Sequence, residues 1–297
     1  MAPCSTCPPP TPTGSRSPTR RSETRATRRS CSSWAWERRW SRGTRASAPC
    51  SSRSHHVIRF DNRDVGGSTW WDTPGLDVGA AALAALAGDT SEVPYLLDDL
   101  AADAVGLLDH LGIERAHVVG ASMGGMIAQA IAIGHPNRVR TLTSIMSTTG
   151  EPGVGEPDPE ILGILLAERP AEREAAIEAM IATTRAISYE PHFDEERTRQ
   201  LAELSFDRGD NPMGVGRQLL AILASPPRHE GLGRLDLPAL VVHGRADRLV
   251  TFSGGQRTAE LIAGADFLAI DDMAHDLPKV HWVRIADAIA ALTSRAA

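Results

Sequence analysis

The chain has 297 residues and a formal net charge of −6. This length suffices for one large α/β domain with an insertion, and the negative charge argues against nucleic acid as a partner. No apolar run reaches the length of a membrane span, and no apolar core of a secretory signal is present. We therefore expect a cytoplasmic protein without stable membrane insertion.

The composition changes abruptly at Val57. Residues 1–56 contain no Leu, Ile, Val, Phe or Tyr, yet they hold all four cysteines and 11 of the 31 basic residues. The remainder carries 20 basic and 35 acidic residues, a formal charge of −15. Because residues 1–56 offer almost nothing apolar to bury, we expect this aberrant basic segment to be disordered or poorly packed and to form no strand.

Three interpretations of residues 1–56 compete. The segment is a disordered basic arm, a zinc or disulfide element built on Cys4 and Cys7, or a stretch translated out of frame. The metal interpretation lacks a second matched Cys/His pair. Read from the third base of the Cys31 codon, the back-translated segment permits Leu, Ile/Leu/Val, Met/Leu/Val, Gly, Leu, Gly, Ala, which is a buried strand followed by a glycine loop. We therefore hypothesise that most of residues 1–56 is a frameshifted version of the first strands.

From Val57 onward, strand and helix patterns alternate. Apolar runs and alternating patterns predict strands at residues 56–60, 139–146, 237–243 and 267–270, and a further strand that ends at Val119. Apolar residues at helical spacing predict helices near 80–87, at 95–111, behind Ser122 and at 280–292. Such alternation is typical of an α/β fold with a mostly parallel, doubly wound sheet. This core comprises residues 57–147 and 232–297.

The alternation stops between residues 148 and 231. Helical segments are predicted near 161–166, 171–187, 195–204 and 216–223, separated by joints rich in Pro and Gly. We expect this insertion to be a helical cap that lies over the site and shapes substrate choice.

A nucleophile elbow is predicted at Ser122, in the run Gly-Ala-Ser-Met-Gly between a β-branched strand and an apolar helix. A serine at such a turn has a strained backbone, and the chain passes so close to it that only small residues fit at Gly120 and Gly124. Gly125 lets the helix pack closely against the sheet. The positive end of that helix suits an oxyanion.

A serine nucleophile needs a base, and the base needs an orienting carboxylate. Asp247 and His275 each follow a predicted strand at the end where functional groups collect in doubly wound sheets. Their order along the chain, Ser, Asp, His, is that of α/β-hydrolases. We therefore predict a triad of Ser122, Asp247 and His275.

Other polar residues are weaker candidates for the triad. We expect His243 to be packed beside the site, His117 to lie at the far end of its strand, and His281 to have only a small claim to be the base. Three carboxylates near His275 are alternatives for the orienting acid: Asp271, Asp272 and Asp276. We expect Asp61 and Arg63 to fix their own loop by hydrogen bonds and an ion pair.

These motifs, together with His243-Gly-Arg-Ala-Asp247, Met273-Ala-His275 and the run from His56 to Gly66, resemble the bacterial serine carboxylesterase and lipase group of the α/β-hydrolase fold, which includes methylesterases of aromatic polyketides. The resemblance implies that Ser122 attacks an ester carbonyl, His275 shuttles the proton, Asp247 holds His275, and the Met123 N–H donates to the oxyanion. It implies a small-molecule ester substrate and neither cofactor nor metal.

The chain departs from this group at two places. Ala274 stands where relatives usually carry glycine, and the glycine loop that supplies their second oxyanion donor is absent from residues 1–56 as written. Losing one such donor typically costs about 10²- to 10³-fold in rate. Two alternatives stay open: cofactor-free perhydrolase or haloperoxidase-like chemistry, and a ligand-binding member that barely turns over. Epoxide hydrolases and dehalogenases are disfavoured because they need a carboxylate at position 122.

Overall fold

The computed structural model describes residues 29–34, 55–165, 167 and 170–296. Within these residues, six parallel strands form one sheet in the order β2-β1-β3-β4-β5-β6. The strands are β1 (Arg29–Trp34), β2 (His56–Arg59), β3 (Ala116–Ala121), β4 (Val139–Ile145), β5 (Ala239–Gly244) and β6 (Asp266–Ile270). The predicted α/β class with a parallel sheet is confirmed.

One expectation about the first 56 residues is wrong. Arg29–Trp34 forms strand β1, which pairs in parallel with β2 on one side and β3 on the other. Strand pairing uses backbone N–H and C=O groups, which almost every residue supplies whatever its side chain. Residues 1–28 and 35–54 lie outside the described residues, and with them lie Cys4, Cys7 and most of the segment to which the frameshift hypothesis applies.

Helices connect the strands and cover the sheet. Those outside the insertion are α1 (Val78–Leu86), α2 (Leu97–His110), α3 (Met123–Gly134), α9 (Phe252–Leu261) and α10 (Trp282–Arg295). Those between β4 and β5 are α4 (Pro159–Leu165), α5 (Arg173–Ile187), α6 (Glu195–Gly209), α7 (Pro212–Ala224) and α8 (His229–Leu232). The helices predicted near 80–87, at 95–111, behind Ser122 and at 280–292 are thus present.

Each face of the sheet has its own apolar core, because successive side chains of a strand point to opposite faces. Val118 and Leu142 pack with α2 and α3 on one face. Val119 and Ile145 pack with α10 on the other. Because the strands are parallel, the carboxyl ends of β3, β5 and β6 lie at the same edge of the sheet. The residues that follow these ends form the candidate site.

The helices between β4 and β5, which form the insertion, are joined to the core by a buried ion pair. Asp64 follows β2 with a φ of 71° and is fully buried. Its carboxylate accepts two hydrogen bonds from Arg217 of α7, at 2.8 and 2.9 Å, and one from the Tyr95 hydroxyl at 2.6 Å. Burial raises the pKa of Asp64, but the hydrogen bonds from Arg217 and Tyr95 outweigh it and leave the pKa below its usual value.

None of the described helices is long and apolar enough to cross a lipid bilayer.

Candidate active site

Ser122 lies at a sharp turn between β3 and α3. Its φ of 54° and ψ of −124° fall in a region that residues with side chains rarely adopt. The turn is tight: a Cβ on Gly120 would lie 1.9 Å from the Gly124 carbonyl oxygen. A Cβ on Gly125 would lie 2.6 Å from the Ser147 Cβ, so the predicted close packing of the helix is confirmed.

Two other predicted residues lie beside Ser122. Asp247 follows β5 and His275 follows β6, so both come from the carboxyl edge of the sheet. The Ser122 hydroxyl lies 2.9 Å from His275 Nε2, and His275 Nδ1 lies 2.8 Å from Asp247 Oδ2. All three residues are buried, with exposed fractions of 4–6%. With the ring proton on Nδ1, His275 donates to Asp247 and its Nε2 accepts from Ser122.

The Asp247 carboxylate is held by several donors. Its Oδ1 accepts from the backbone N–H groups of Leu249 and Val250, each at 2.9 Å. His243 Nε2 lies 3.4 Å from Oδ2 and 2.8 Å from the Val250 carbonyl oxygen. Burial raises the pKa of Asp247, but the neighbouring imidazoles of His275 and His243 lower it to about 2. Asp247 is therefore an anion at neutral pH.

Met123 is the first residue of α3 and directly follows Ser122. The first N–H groups of a helix have no acceptor within the helix, and they lie at the positive end of its dipole. The Met123 N–H is thus placed where charge developing near the Ser122 hydroxyl would be stabilised.

A cavity of about 430 Å³ opens onto Ser122 and His275. Its lining is mostly apolar and comes from both the core and the insertion, including Met146, Ile187 and Leu219. Asp276 also lines it, and burial raises the pKa of this carboxyl. The loop that carries His275 is in direct contact with the insertion, because the His275 N–H donates to the Ile187 carbonyl at 2.9 Å.

The weaker candidates have other contacts. His117 bonds Thr141 at 3.0 Å, near the start of β3, as expected. Asp271 pairs with Arg245, and His281 pairs with Asp272, so these three candidates have partners other than His275.

The loop after β2 is fixed as predicted. Arg63 binds Asp103 of α2 through two hydrogen bonds, at 2.6 and 2.8 Å. Asp61 accepts from the Gly67 N–H at 3.0 Å and pairs with Arg208 of α6.

A buried arginine behind helix α3 was not predicted from the sequence. Arg228 donates to the Gln129 side chain of α3 and to the Thr148 carbonyl, both at 3.0 Å, and burial lowers its pKa to about 10. Arg228 and Gln129 are 99 residues apart, so no local pattern marked them as partners. Among the described residues, a cluster with the donor atoms for a metal ion is His192, Asp272 and His281.

The chain matches the alpha/beta hydrolase fold family over residues 32–281. It is similar to the rhodomycin D methylesterase DauP of Streptomyces sp. (strain C5), with 29% identity over 83% of this chain and 84% of the relative. It is also similar to a 2-hydroxymuconate semialdehyde hydrolase of Pseudomonas sp. (strain CF600), with 31% identity over 67% and 69% of the two chains.

The fold is similar to that of a solved meta-cleavage product hydrolase from Pseudomonas fluorescens IP01. The TM-score is 0.65 at 22% identity, and 91% of this chain and 92% of that chain are covered. The family match spans most of the chain and includes Ser122, Asp247 and His275. The chain therefore belongs to the α/β-hydrolase fold family, as its motifs predicted, and is a hydrolase.

Proposed function

We propose that the protein hydrolyses a carboxylic ester through Ser122, His275 and Asp247. The observation that carries the proposal is the continuous hydrogen-bonded chain from the Ser122 hydroxyl through the His275 ring to the Asp247 carboxylate. A serine hydroxyl becomes a nucleophile when a positioned imidazole takes its proton, and a buried carboxylate stabilises the imidazolium that forms.

The reaction has two halves. Ser122 Oγ attacks the ester carbonyl carbon while His275 Nε2 takes the hydroxyl proton. The C–O bond to the alcohol then breaks, and the alcohol leaves with that proton, so the acyl group remains on Ser122. In the second half, His275 takes a proton from water, the hydroxide attacks the acyl carbon, and the acid leaves as Ser122 regains its proton.

The negative charge on the carbonyl oxygen is stabilised by the Met123 N–H in both halves. The glycine loop expected to supply a second donor is absent from residues 1–56 as written. An oxyanion donor acts on charge that exists only near the transition state, and removing one costs about 10²- to 10³-fold in kcat. No metal ion or cofactor enters these steps.

The substrate is a neutral, small or medium apolar ester. Support comes from the apolar lining of the cavity. The cationic groups at its rim already have partners, since Lys279 pairs with Asp194 and the Arg197 guanidinium lies 4.7 Å from the Trp282 ring centroid. The helical insertion acts as a cap over the site, because residues of α5, α6 and α7 complete the cavity wall.

A second candidate is hydrolysis of a carbon–carbon bond in a ring-fission product. The 2-hydroxymuconate semialdehyde hydrolase relative favours it, and the same serine and histidine would serve. The perhydrolase alternative uses the same triad, and the ligand-binding alternative keeps the triad but barely turns over. The assay must therefore separate four candidates.

The test is hydrolysis of p-nitrophenyl esters with acyl chains of two to twelve carbons. The native chain should release p-nitrophenol, and Ser122→Ala should lower kcat at least about 10³-fold. Ser294→Ala, which removes an exposed hydroxyl from α10, is the control and should leave kcat unchanged. Cleavage of 2-hydroxymuconate semialdehyde alone would favour the second candidate, and peroxide-dependent halogenation alone would favour the perhydrolase. Ester hydrolysis unaffected by Ser122→Ala would refute the proposal.

A further inference from the structure

Two histidines and an aspartate converge where the insertion meets the loop that carries His275. His192 ends the short turn Glu190–His192 between α5 and α6. Asp272 lies just after β6, three residues before His275. His281 ends the short turn Lys279–His281, directly before α10. The cluster therefore joins the insertion to two separate segments of the core.

The donor atoms of the cluster face one another. His192 Nε2 lies 2.8 Å from Asp272 Oδ2, and His281 Nε2 lies 3.0 Å from Asp272 Oδ1. The three donor atoms all lie within 4.8 Å of one another. The two imidazole rings are nearly perpendicular, at 82°, with their centroids 5.7 Å apart. Both rings thus present their Nε2 atoms to the Asp272 carboxylate.

These distances fit a metal ion. Zinc binds imidazole nitrogen and carboxylate oxygen at about 2.0–2.2 Å in a tetrahedral arrangement, whose donors are about 3.4 Å apart. The two nitrogen–oxygen separations in the cluster, 2.8 and 3.0 Å, are about 0.4–0.6 Å shorter than this value. A small opening of the cluster would therefore admit an ion with three protein ligands.

The surroundings leave room for a fourth ligand. The Asp272 and His192 side chains are partly exposed, with exposed fractions of 44% and 26%, whereas His281 is nearly buried at 9%. His192 also lines the cavity above Ser122, and its ring lies 5.3 Å from that of Tyr189. The cluster therefore has a fixed inner side and a side open to water.

We propose that His192, Asp272 and His281 bind a divalent transition-metal ion, with zinc as the physiological candidate, and that the ion ties the insertion to the catalytic loop. Two imidazoles and a carboxylate are donors that suit zinc, nickel and copper rather than magnesium or calcium. The ion is structural: it takes no part in ester cleavage, and the proposal stands independently of the proposed function. It departs from the absence of metal predicted from the sequence.

The ion links parts of the chain that are far apart in sequence. His192 and Asp272 are separated by 80 residues, so binding holds the insertion against the core as long as the ion is present. Because the folded chain alone brings the three donors together, the ion should bind the folded state preferentially and raise its stability.

The experiment is isothermal titration of the untagged, EDTA-treated full chain with ZnCl₂. The four cysteines are alkylated first, so that thiolates cannot bind the ion. We expect one ion per chain, and thermal unfolding should shift upward by roughly 5 °C at about 100 times the Kd. Titration with Co²⁺ should give the intense visible absorption of a tetrahedral site.

Variants decide which residues bind the ion. His192→Ala and Asp272→Asn should each abolish stoichiometric zinc binding and the thermal shift. His110→Ala, which removes an exposed imidazole at the end of α2, should retain both. Circular dichroism of the metal-free variants verifies that they are folded, and the two partly exposed ligands are chosen because their loss leaves the core intact. No binding to the native chain, or equal binding by His192→Ala and the native chain, would overturn the proposal and leave a hydrogen-bonded His-Asp-His bridge.

Discussion

At the scale of single residues, Ser122 has a conformation that the surrounding structure must enforce. A non-glycine residue at a φ of 54° costs of the order of 1–3 kcal/mol and is retained where neighbours determine it. Here the Ser122 N–H donates to the Ile145 carbonyl at 2.9 Å, and its carbonyl accepts from the Gly125 N–H at 2.8 Å. The strained backbone places the hydroxyl within hydrogen-bonding distance of His275.

The buried carboxylate of Asp247 makes stability depend on pH. Its pKa is about 2 in the folded chain and 3.8 as a reference for the unfolded chain. Because the folded pKa is the lower one, ionised Asp247 stabilises the fold fully above about pH 4, and this contribution is lost as pH falls through 2. The stabilising contribution of ionised Asp247 is about 2 kcal/mol.

Asp247→Asn should therefore lose most stability at pH 5 and less at each lower pH. Urea unfolding at pH 5, 4 and 3 measures the difference in unfolding free energy between the native chain and the variant. Asp271→Asn, which removes the same charge from a carboxylate that is 89% exposed, is the control and should change the free energy little at any pH. If the unfolding free energy of Asp247→Asn stays below that of the native chain by the same amount down to pH 3, ionised Asp247 does not stabilise the fold as described.

At the scale of elements, the turn from β3 to α3 depends on the absence of a side chain at Gly120. A Cβ there meets backbone atoms of Gly124 and Gly125, which cannot move without displacing the helix. Gly120→Ala should therefore destabilise the fold by more than about 4 kcal/mol or prevent folding.

The matched substitution is Gly106→Ala in the exposed middle of α2. A Cβ at Gly106 meets nothing within 4 Å, so alanine should stabilise the fold by about 0.5–1 kcal/mol. Chemical denaturation of both variants measures these effects. A Gly120→Ala chain as stable as the native one would show that the turn is looser than described.

Two of the ion pairs that attach the insertion to the core differ in burial. Asp64 and Arg217 are almost fully buried, whereas Arg208, which pairs with Asp61, is 48% exposed. Arg217→Ala leaves a buried carboxylate without its cation and should cost about 3–5 kcal/mol. Arg208→Ala should cost less than about 1 kcal/mol.

Urea unfolding of the two arginine variants gives the comparison. Equal losses of unfolding free energy in the two variants would mean that burial of the Asp64–Arg217 pair does not determine its contribution to stability.

Several elements could be predicted from the sequence because their signals are local. The strand, glycines and helix around Ser122 are contiguous in the sequence. Asp247 and His275 each follow a predicted strand, and the strands of a parallel sheet end at the same edge. The Arg228–Gln129 contact, the Asp64–Arg217 pair and the His192–Asp272 contact join residues 80 or more positions apart. Packing between elements determines these pairs, so no spacing along the chain marks them.

At the scale of the whole molecule, β1 combines an interior position with an unusual sequence. It lies between β2 and β3 in a parallel sheet, where strands are normally near-continuous apolar runs. Arg29–Trp34 reads Arg-Ser-Cys-Ser-Ser-Trp. This conflict between position and composition supports the hypothesis that most of residues 1–56 is out of frame, because the frame shifted at Cys31 permits an apolar strand.

A gene with codons 31–53 read from the third base of the Cys31 codon should therefore give a better enzyme. We expect a higher yield of folded protein and, from the restored glycine loop, a rate of ester hydrolysis about 10²- to 10³-fold higher. A chain with the same residues replaced by a Gly/Ser segment of equal length is the control and should gain nothing. An unchanged or lower rate in the restored chain would contradict the frameshift hypothesis.

Under the proposed mechanism, His275 makes the Ser122 hydroxyl reactive. Labelling with a fluorophosphonate, followed by intact-mass measurement and peptide mapping, tests it most directly. One phosphonyl group should be found on Ser122 in the native chain, with none in Ser122→Ala and labelling about 10³-fold slower in His275→Ala. A folded chain that takes up no label, or takes it up on another residue, would contradict the claim.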